Sequence, residues 1–185
     1  QEVTGLAPCG GNLCLSRHAR HEGLAVVSLR DPSSPVVLGV APLAGHGADV
    51  AVQGATAYVA EGHHGVGVYD VSRPGQISLV QRLDPGEKIV SVAARKGLVV
   101  AASHQRDLYV YSLEGGTALL AHVRSDRKIS RVRLLPGQLW VLDDQEQWVE
   151  VWDLSDPAQP VKVGEHRDNA ALYFHLRFQG DAAFG

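Results

Sequence analysis

The sequence predicts an all-β fold, a β-propeller of four-stranded blades with four blades written out and a fifth begun. Two observations carry the prediction. The stretches GLAVVSLRDPSSPVVLG, GVGVYDVSRPGQISLV, DLYVYSLEGGTALLA and WVEVWDLSDPAQPVKVG start at Gly23, Gly65, Asp107 and Trp148, so they recur at steps of 42, 42 and 41 residues. Each unit also consists of short alternating apolar runs broken by glycine and proline, and no segment sustains a helical period. A repeat of about 42 residues built only of strands and turns has the length of one propeller blade.

The blades are expected over residues 3–40, 49–82, 90–123 and 129–164, with a partial blade over 172–185, all within one domain spanning 1–185. The second unit reads most clearly. Val50 to Val52 alternates and ends at Gln53-Gly54; Thr56 to Ala60 follows, then a loop from Glu61 to Gly65. Val66 to Val71 alternates again, Ser72-Arg73-Pro74-Gly75 breaks it, and Ile77 to Val80 makes the fourth run. Pro32, Pro74 and Pro157 stand at equivalent places after the third strands, where a fixed φ and a missing N–H stop the ladder. Gly116 stands there in the third unit, and Ser72 and Ser155 are positioned to cap their turns through the hydroxyl. In the fifth unit, Leu172 to Phe178 and Ala182 to Phe184 flank a turn at Gln179-Gly180-Asp181, 126 residues after Gln53-Gly54 and in register with it.

DVSRPGQISLV and DLSDPAQPVKVG, preceded by strands such as Gly54 to Ala60, resemble LVIVD repeats. The resemblance spans residues 23–164 well and both ends loosely. It implies a β-propeller of the kind common in bacterial secreted and surface proteins, with no shared catalytic residues. It also implies a ring of six or seven blades, so the chain is expected to be part of a larger propeller, because an open ring leaves sheet faces and edges bare.

Composition narrows the function. A formal net charge of −3 argues against a nucleic-acid partner, which demands a basic surface. No run of 18 or more apolar residues points to a helical membrane span. Cys9 and Cys14 are the two cysteines. With Gly11-Asn12 as a two-residue hairpin turn they stand opposite one another, and a disulfide is expected, which places the protein outside the cytoplasm, in periplasm, at the cell surface or secreted. The alternative is a pair of buried thiols. Motifs of nucleophilic, metalloprotease or phosphate-loop chemistry are absent.

Nine histidines are the chemically loudest feature. If the first strand of each unit lies innermost, the loops joining second to third strands share a face with the inter-blade connections. His18, His21, His63, His64 and His104 fall in the former, and His46, His166 and His175 in the latter, with His122 in an outer strand. Loops diverge away from the axis, so His46 and His175, then His63 and His64, are the candidate ligands for a transition metal. The plain alternative is a set of solvated loop imidazoles. Arg124, Arg127, Lys128, Arg131 and Arg133 form a basic run facing Asp143, Asp144, Glu146 and Glu150, for which ion pairs within the blade are expected, the sharper reading being a groove for an anionic or peptide ligand. Trp140 and Trp152 suit core packing, and Trp148 is the candidate exposed interface anchor.

These readings favour a non-catalytic binding or scaffolding module, without a cofactor, that engages a protein or surface polymer through its loop face. One alternative is a metal-binding protein or metal-dependent enzyme using His46, His63, His64 and His175. The other is a structural subunit that completes its ring with a partner chain, as a homo- or hetero-oligomer.

Overall fold

Alternating Val, Ala, Leu and Tyr side chains need an apolar surface on both faces of a strand, and stacked sheets provide it. In the computed structural model, which describes residues 2–18, 23–143, 148–167, 177–179 and 182–184, they form four antiparallel four-stranded sheets. The first comprises β1 (Val3–Cys9), β2 (Asn12–Arg17), β3 (Leu24–Ser28) and β4 (Val36–Ala41). The second comprises β5 (Asp49–Gln53), β6 (Thr56–Ala60), β7 (Val66–Asp70) and β8 (Ser78–Leu83). The third is β9 (Ile89–Arg95), β10 (Leu98–Ser103), β11 (Asp107–Ser112) and β12 (Ala118–Arg124). The fourth is β13 (Arg131–Leu135), β14 (Gln138–Asp143), β15 (Trp148–Asp153) and β16 (Val161–Arg167). A hairpin of β17 (Arg177–Gln179) and β18 (Ala182–Phe184) follows, with Gln179 opposite Ala182; residues 172–176 lie outside the described residues. Spatial order equals chain order in every sheet, and among the described residues the sheets do not close into a ring.

The first strands β1, β5, β9 and β13 pack side by side, which makes them the axial strands. The middle strands are buried on both sides, and their alternation distributes them between two neighbours. From β6 and β7, Ala57, Val59 and Tyr69 pack against Cys14, Leu24 and Val26 of the first blade. Tyr58, Ala60, Val66 and Val68 pack against Ile89, Val99 and Tyr109 of the third. A third core joins Val100, Leu108 and Val110 to Val132, Leu139, Val141 and Trp152. Among the described residues there is thus one core per pair of neighbouring blades and none within a blade, as stacked repeats require.

Two local devices recur with the repeat. The third and fourth strands slip register at Val26/Val27, Val68/Tyr69, Val110/Tyr111 and Val151/Trp152, so each outer strand carries a bulge, which steepens blade twist. The turn that follows is capped from the last position of the third strand. Ser28 and Ser112 accept the N–H of Arg30 and Glu114, while Asp70 and Asp153 accept that of Ser72 and Ser155. Ser72 and Ser155 therefore donate to the caps rather than supplying them, contrary to the expectation above. Those hydrogen bonds hold the carboxyls of Asp70 and Asp153 below the ordinary range. Gly116 has φ of 117°, out of reach of a proline, which explains the break in the proline series.

Cys9 and Cys14 form the disulfide, with Cα atoms 5.8 Å apart. The register differs from the one expected. Gly10-Gly11 is the turn, with φ of 55° and 78°, as a type I′ hairpin demands of both central residues. Cys9 then faces Asn12 and Cys14 faces Ala7, so the bridge joins diagonal positions on the face that packs against the second blade.

Candidate binding site on the loop face

The segment Gly45-His46-Gly47 connects the first two blades beside the axis. A Cβ on Gly45 would collide with the carbonyl of Glu61, and one on Gly47 would press on the carbonyl of Arg17. Two glycines therefore let this connection lie flat between the loops of both blades, where Gly47 N–H donates to Arg17 O (3.0 Å) and Ala48 N–H to Ala60 O (2.8 Å). His46, between them, projects outward and stacks on His18, ring centroids 4.2 Å apart and 13° from parallel.

The facing loop is held as firmly. Gly62 and Gly65, with φ of 63° and 72°, close the tight turn from β6 to β7 that carries His63 and His64. Gly62 O accepts the N–H of Ile89, tying this turn to the next inter-blade connection. Glu61, at its start, is fully buried. Its Oε1 accepts the Tyr69 hydroxyl at 2.7 Å; its Oε2 accepts Ala44 N–H at 2.8 Å and Arg82 Nη1 at 2.7 Å. Burial foremost, and then the Glu61 carboxylate, push the Tyr69 phenol well above its ordinary value, so it stays a donor.

These loops enclose a cavity of about 500 Å³ lined by Thr4, His18, Gly45–Ala48, Glu61–His64 and Lys88–Val90. It lies at the axial mouth of the loop face and is built by three successive blades. His46, His63 and His64, named from the sequence, all line it; His18 joins them, and His175 lies outside the described residues. Among the described residues, no group of three or more His, Cys, Asp or Glu side chains is disposed to hold one metal ion. Lys88 escaped the sequence reading although a signal existed: it lies 42 residues after His46 and so occupies the same place in the next connection.

Other candidates take different places. His166 belongs to the outer strand β16, not to an inter-blade connection, because β16 runs on to Arg167. His122 stacks on Tyr109 and pairs with Asp107 at 2.9 Å. Trp148 is half-buried beneath the Arg127 guanidinium, 3.8 Å from its ring centroid, rather than free at the surface. Trp140 is half-buried. Trp152 is buried and donates to Glu150, which also accepts Ser125 Oγ and Asp126 N–H. The basic run is divided between blades: Arg124, on β12, approaches its cross-strand neighbour Asp107 at 3.9 Å, and Arg133, on β13, approaches Asp49 of the second blade at 3.8 Å across the axial strands. Asp144 and Glu146 lie outside the described residues. Asp49 in turn accepts Ser91 Oγ, which accepts Val132 N–H, a polar thread joining three axial strands.

Comparison with known proteins agrees with this architecture. Residues 44–84, the second blade with the connection before it, match the LVIVD repeat. No curated protein matches the sequence. Among solved structures, the chain is similar to the computationally designed Ika4 protein (TM-score 0.66, 13% identity, 83% of this chain and 91% of that one). It is similar to a protein from Lactobacillus plantarum (TM-score 0.68, 15% identity, 96% and 59%) and to apo AztD from Citrobacter koseri (TM-score 0.58, 18% identity, 90% and 47%). At these identities the likeness is one of fold, which is propeller-like. The chain spans 59% of the length of the Lactobacillus protein and 47% of AztD.

Proposed function

We propose that this propeller, which carries an LVIVD repeat, is a non-catalytic binding module that works outside the cytoplasm and engages a protein or surface polymer through its loop face. The observation that carries the reading is the cavity of about 500 Å³ assembled from loops of three blades. Rigid strands that present convergent loops are the ordinary setting of a recognition site, and a cavity of about 300–1,000 Å³ is of ligand-binding size. The Cys9–Cys14 disulfide supports an oxidising compartment.

Position-specific photo-crosslinking in the source cells tests it. A benzoylphenylalanine in place of His63, on the loop face, is expected to give a discrete adduct. The same residue in place of Val37 or Val80, both exposed on outer strands, is expected to give none. Adducts from Val37 or Val80 with none from His63 would move the working surface to the outer strands and overturn the reading.

A further inference from the structure

We propose that the cavity at the axial mouth accepts the side-chain carboxylates of an acidic segment of a protein partner. The inference rests on the binding-module reading and gives its site a ligand chemistry. Charge decides it first. Among the described residues, the cavity lining has one ammonium, Lys88, which is exposed and makes no ion pair with another of them. The described lining has one carboxylate, Glu61, and it is unavailable: both oxygens are occupied, Arg82 neutralises it at 2.7 Å, and none of it is exposed. Among the described lining residues a cationic ligand would face Lys88 with no free carboxylate to receive it, whereas an anionic one meets Lys88 unopposed.

Hydrogen-bonding capacity points the same way. The imidazoles of His18, His46, His63 and His64 surround the cavity, and each carries at least one ring N–H donor in either protonation state. The repeat brings the two central groups together, since His46 and Lys88 occupy equivalent positions on successive inter-blade connections and both therefore reach the axis. The donors are single and spread around the rim. Among the described residues no arginine lines the cavity, so none of them offers the bidentate fork that favours phosphate. Separate single donors around about 500 Å³ suit several carboxylates borne on a peptide better than one compact phosphate.

Fluorescence anisotropy with the full chain tests this. The probes are a fluorescein-labelled Glu-Asp hexapeptide, its Gln-Asn counterpart, and a phosphoserine hexapeptide, all at low ionic strength. The acidic peptide is expected to bind about tenfold or more tighter than the amide peptide, the equivalent of one charge-assisted contact. Lys88→Gln, an exposed change that should leave the fold intact, is expected to weaken it about five- to tenfold, and His63→Phe combined with His64→Phe by a similar factor. Arg73→Gln, in the exposed turn after the third strand of the second blade, should leave affinity unchanged. Equal binding of acidic and amide peptides, an unaltered affinity in Lys88→Gln, or tighter binding of the phosphoserine peptide would each overturn the assignment. Cross-links from position 63 together with any of these results would discard the carboxylate ligand and keep the loop face as the working surface.

Discussion

Replacing Glu61 by alanine is the sharpest test of how the loop face is held. The carboxylate is buried and receives three donors: the Tyr69 hydroxyl, the Ala44 N–H and the Arg82 guanidinium. Glu61→Ala removes that acceptor from all three, leaving the Tyr69 hydroxyl only the Pro42 carbonyl at 3.3 Å, and not at equal cost. The Arg82 side chain is 31% exposed, so it re-solvates and contributes little. The Tyr69 hydroxyl and Ala44 N–H are not so placed, and bonds to a charged acceptor are worth about 1.5–3 kcal/mol each, which gives about 3–6 kcal/mol in total, toward the lower end because Tyr69 keeps the Pro42 carbonyl. For a chain of this size that corresponds to a fall in Tm of about 10 °C. Glu61→Gln should cost nearly as much. The amide offers one acceptor oxygen, and its NH₂ meets a donor on the other side. Tyr69→Phe removes one of the three bonds, and its cost should be about 2 kcal/mol. Urea unfolding followed by tryptophan fluorescence measures all three, and the Glu61→Gln/Tyr69→Phe cycle gives their coupling. A cost below about 1 kcal/mol for Glu61→Ala would show that water replaces the carboxylate, and the loop would then not be pinned by it.

Two further expectations follow from the blades themselves. Gly39 and Gly164 hold the same repeat position, opposite Val26 and Val151, but a Cβ on Gly39 would strike the Pro74 carbonyl of the next blade and one on Gly164 meets nothing within 4 Å. Gly39→Ala should therefore cost about 1–3 kcal/mol and Gly164→Ala close to nothing in urea unfolding, and equal effects would refute close stacking of the first two blades. Reducing the Cys9–Cys14 disulfide, or making Cys9→Ala and Cys14→Ala together, opens a loop with a sequence separation of 5. Chain entropy for so short a loop predicts a loss of about 2 kcal/mol, read as a lower urea midpoint under reductant in the parent and none in the double variant.

The blade architecture was legible because a repeat of strands states its own period, and because alternation such as Tyr58/Val59 fixes which face looks to which neighbour. The hairpin register was not. CGGNLC offers Gly10-Gly11 and Gly11-Asn12 as rival turns one residue apart, and the pairing of β1 with β2 over their full length chooses the first. Nor could ion pairs be read from charge order alone. The basic run lies beside an acidic one in sequence, yet Arg124 approaches Asp107, its cross-strand neighbour in the third blade, and Arg133 of the fourth blade approaches Asp49 of the second, because both of the latter stand on axial strands.

The cavity shows where repetition stops carrying information. The repeat places His46 and Lys88 at one structural position, which the sequence alone supplies. Their different chemistry, and the Glu61 beneath them, are departures from the repeat: the residue 42 positions after Glu61 is Ser103, which caps its own loop at Gln105 and Asp107. The fourth blade reaches a similar buried carboxylate by another route. Trp152 stands at the repeat position of Tyr69 and donates to Glu150, which projects from β15 at the place where the second blade has Gly67. A Cβ on Gly67 would collide with the Glu61 carboxylate, so the second blade has no room for an acid on the strand as well, and the two blades supply theirs from different places, the loop in one and the strand in the other. What the two acids share is an aromatic donor and a backbone N–H from the preceding inter-blade connection, Ala44 for one and Asp126 for the other. Both acids therefore fasten inter-blade connections, and at the cavity beside Glu61 the exposed chemistry is left to His46 and Lys88, which the repeat positions but does not prescribe.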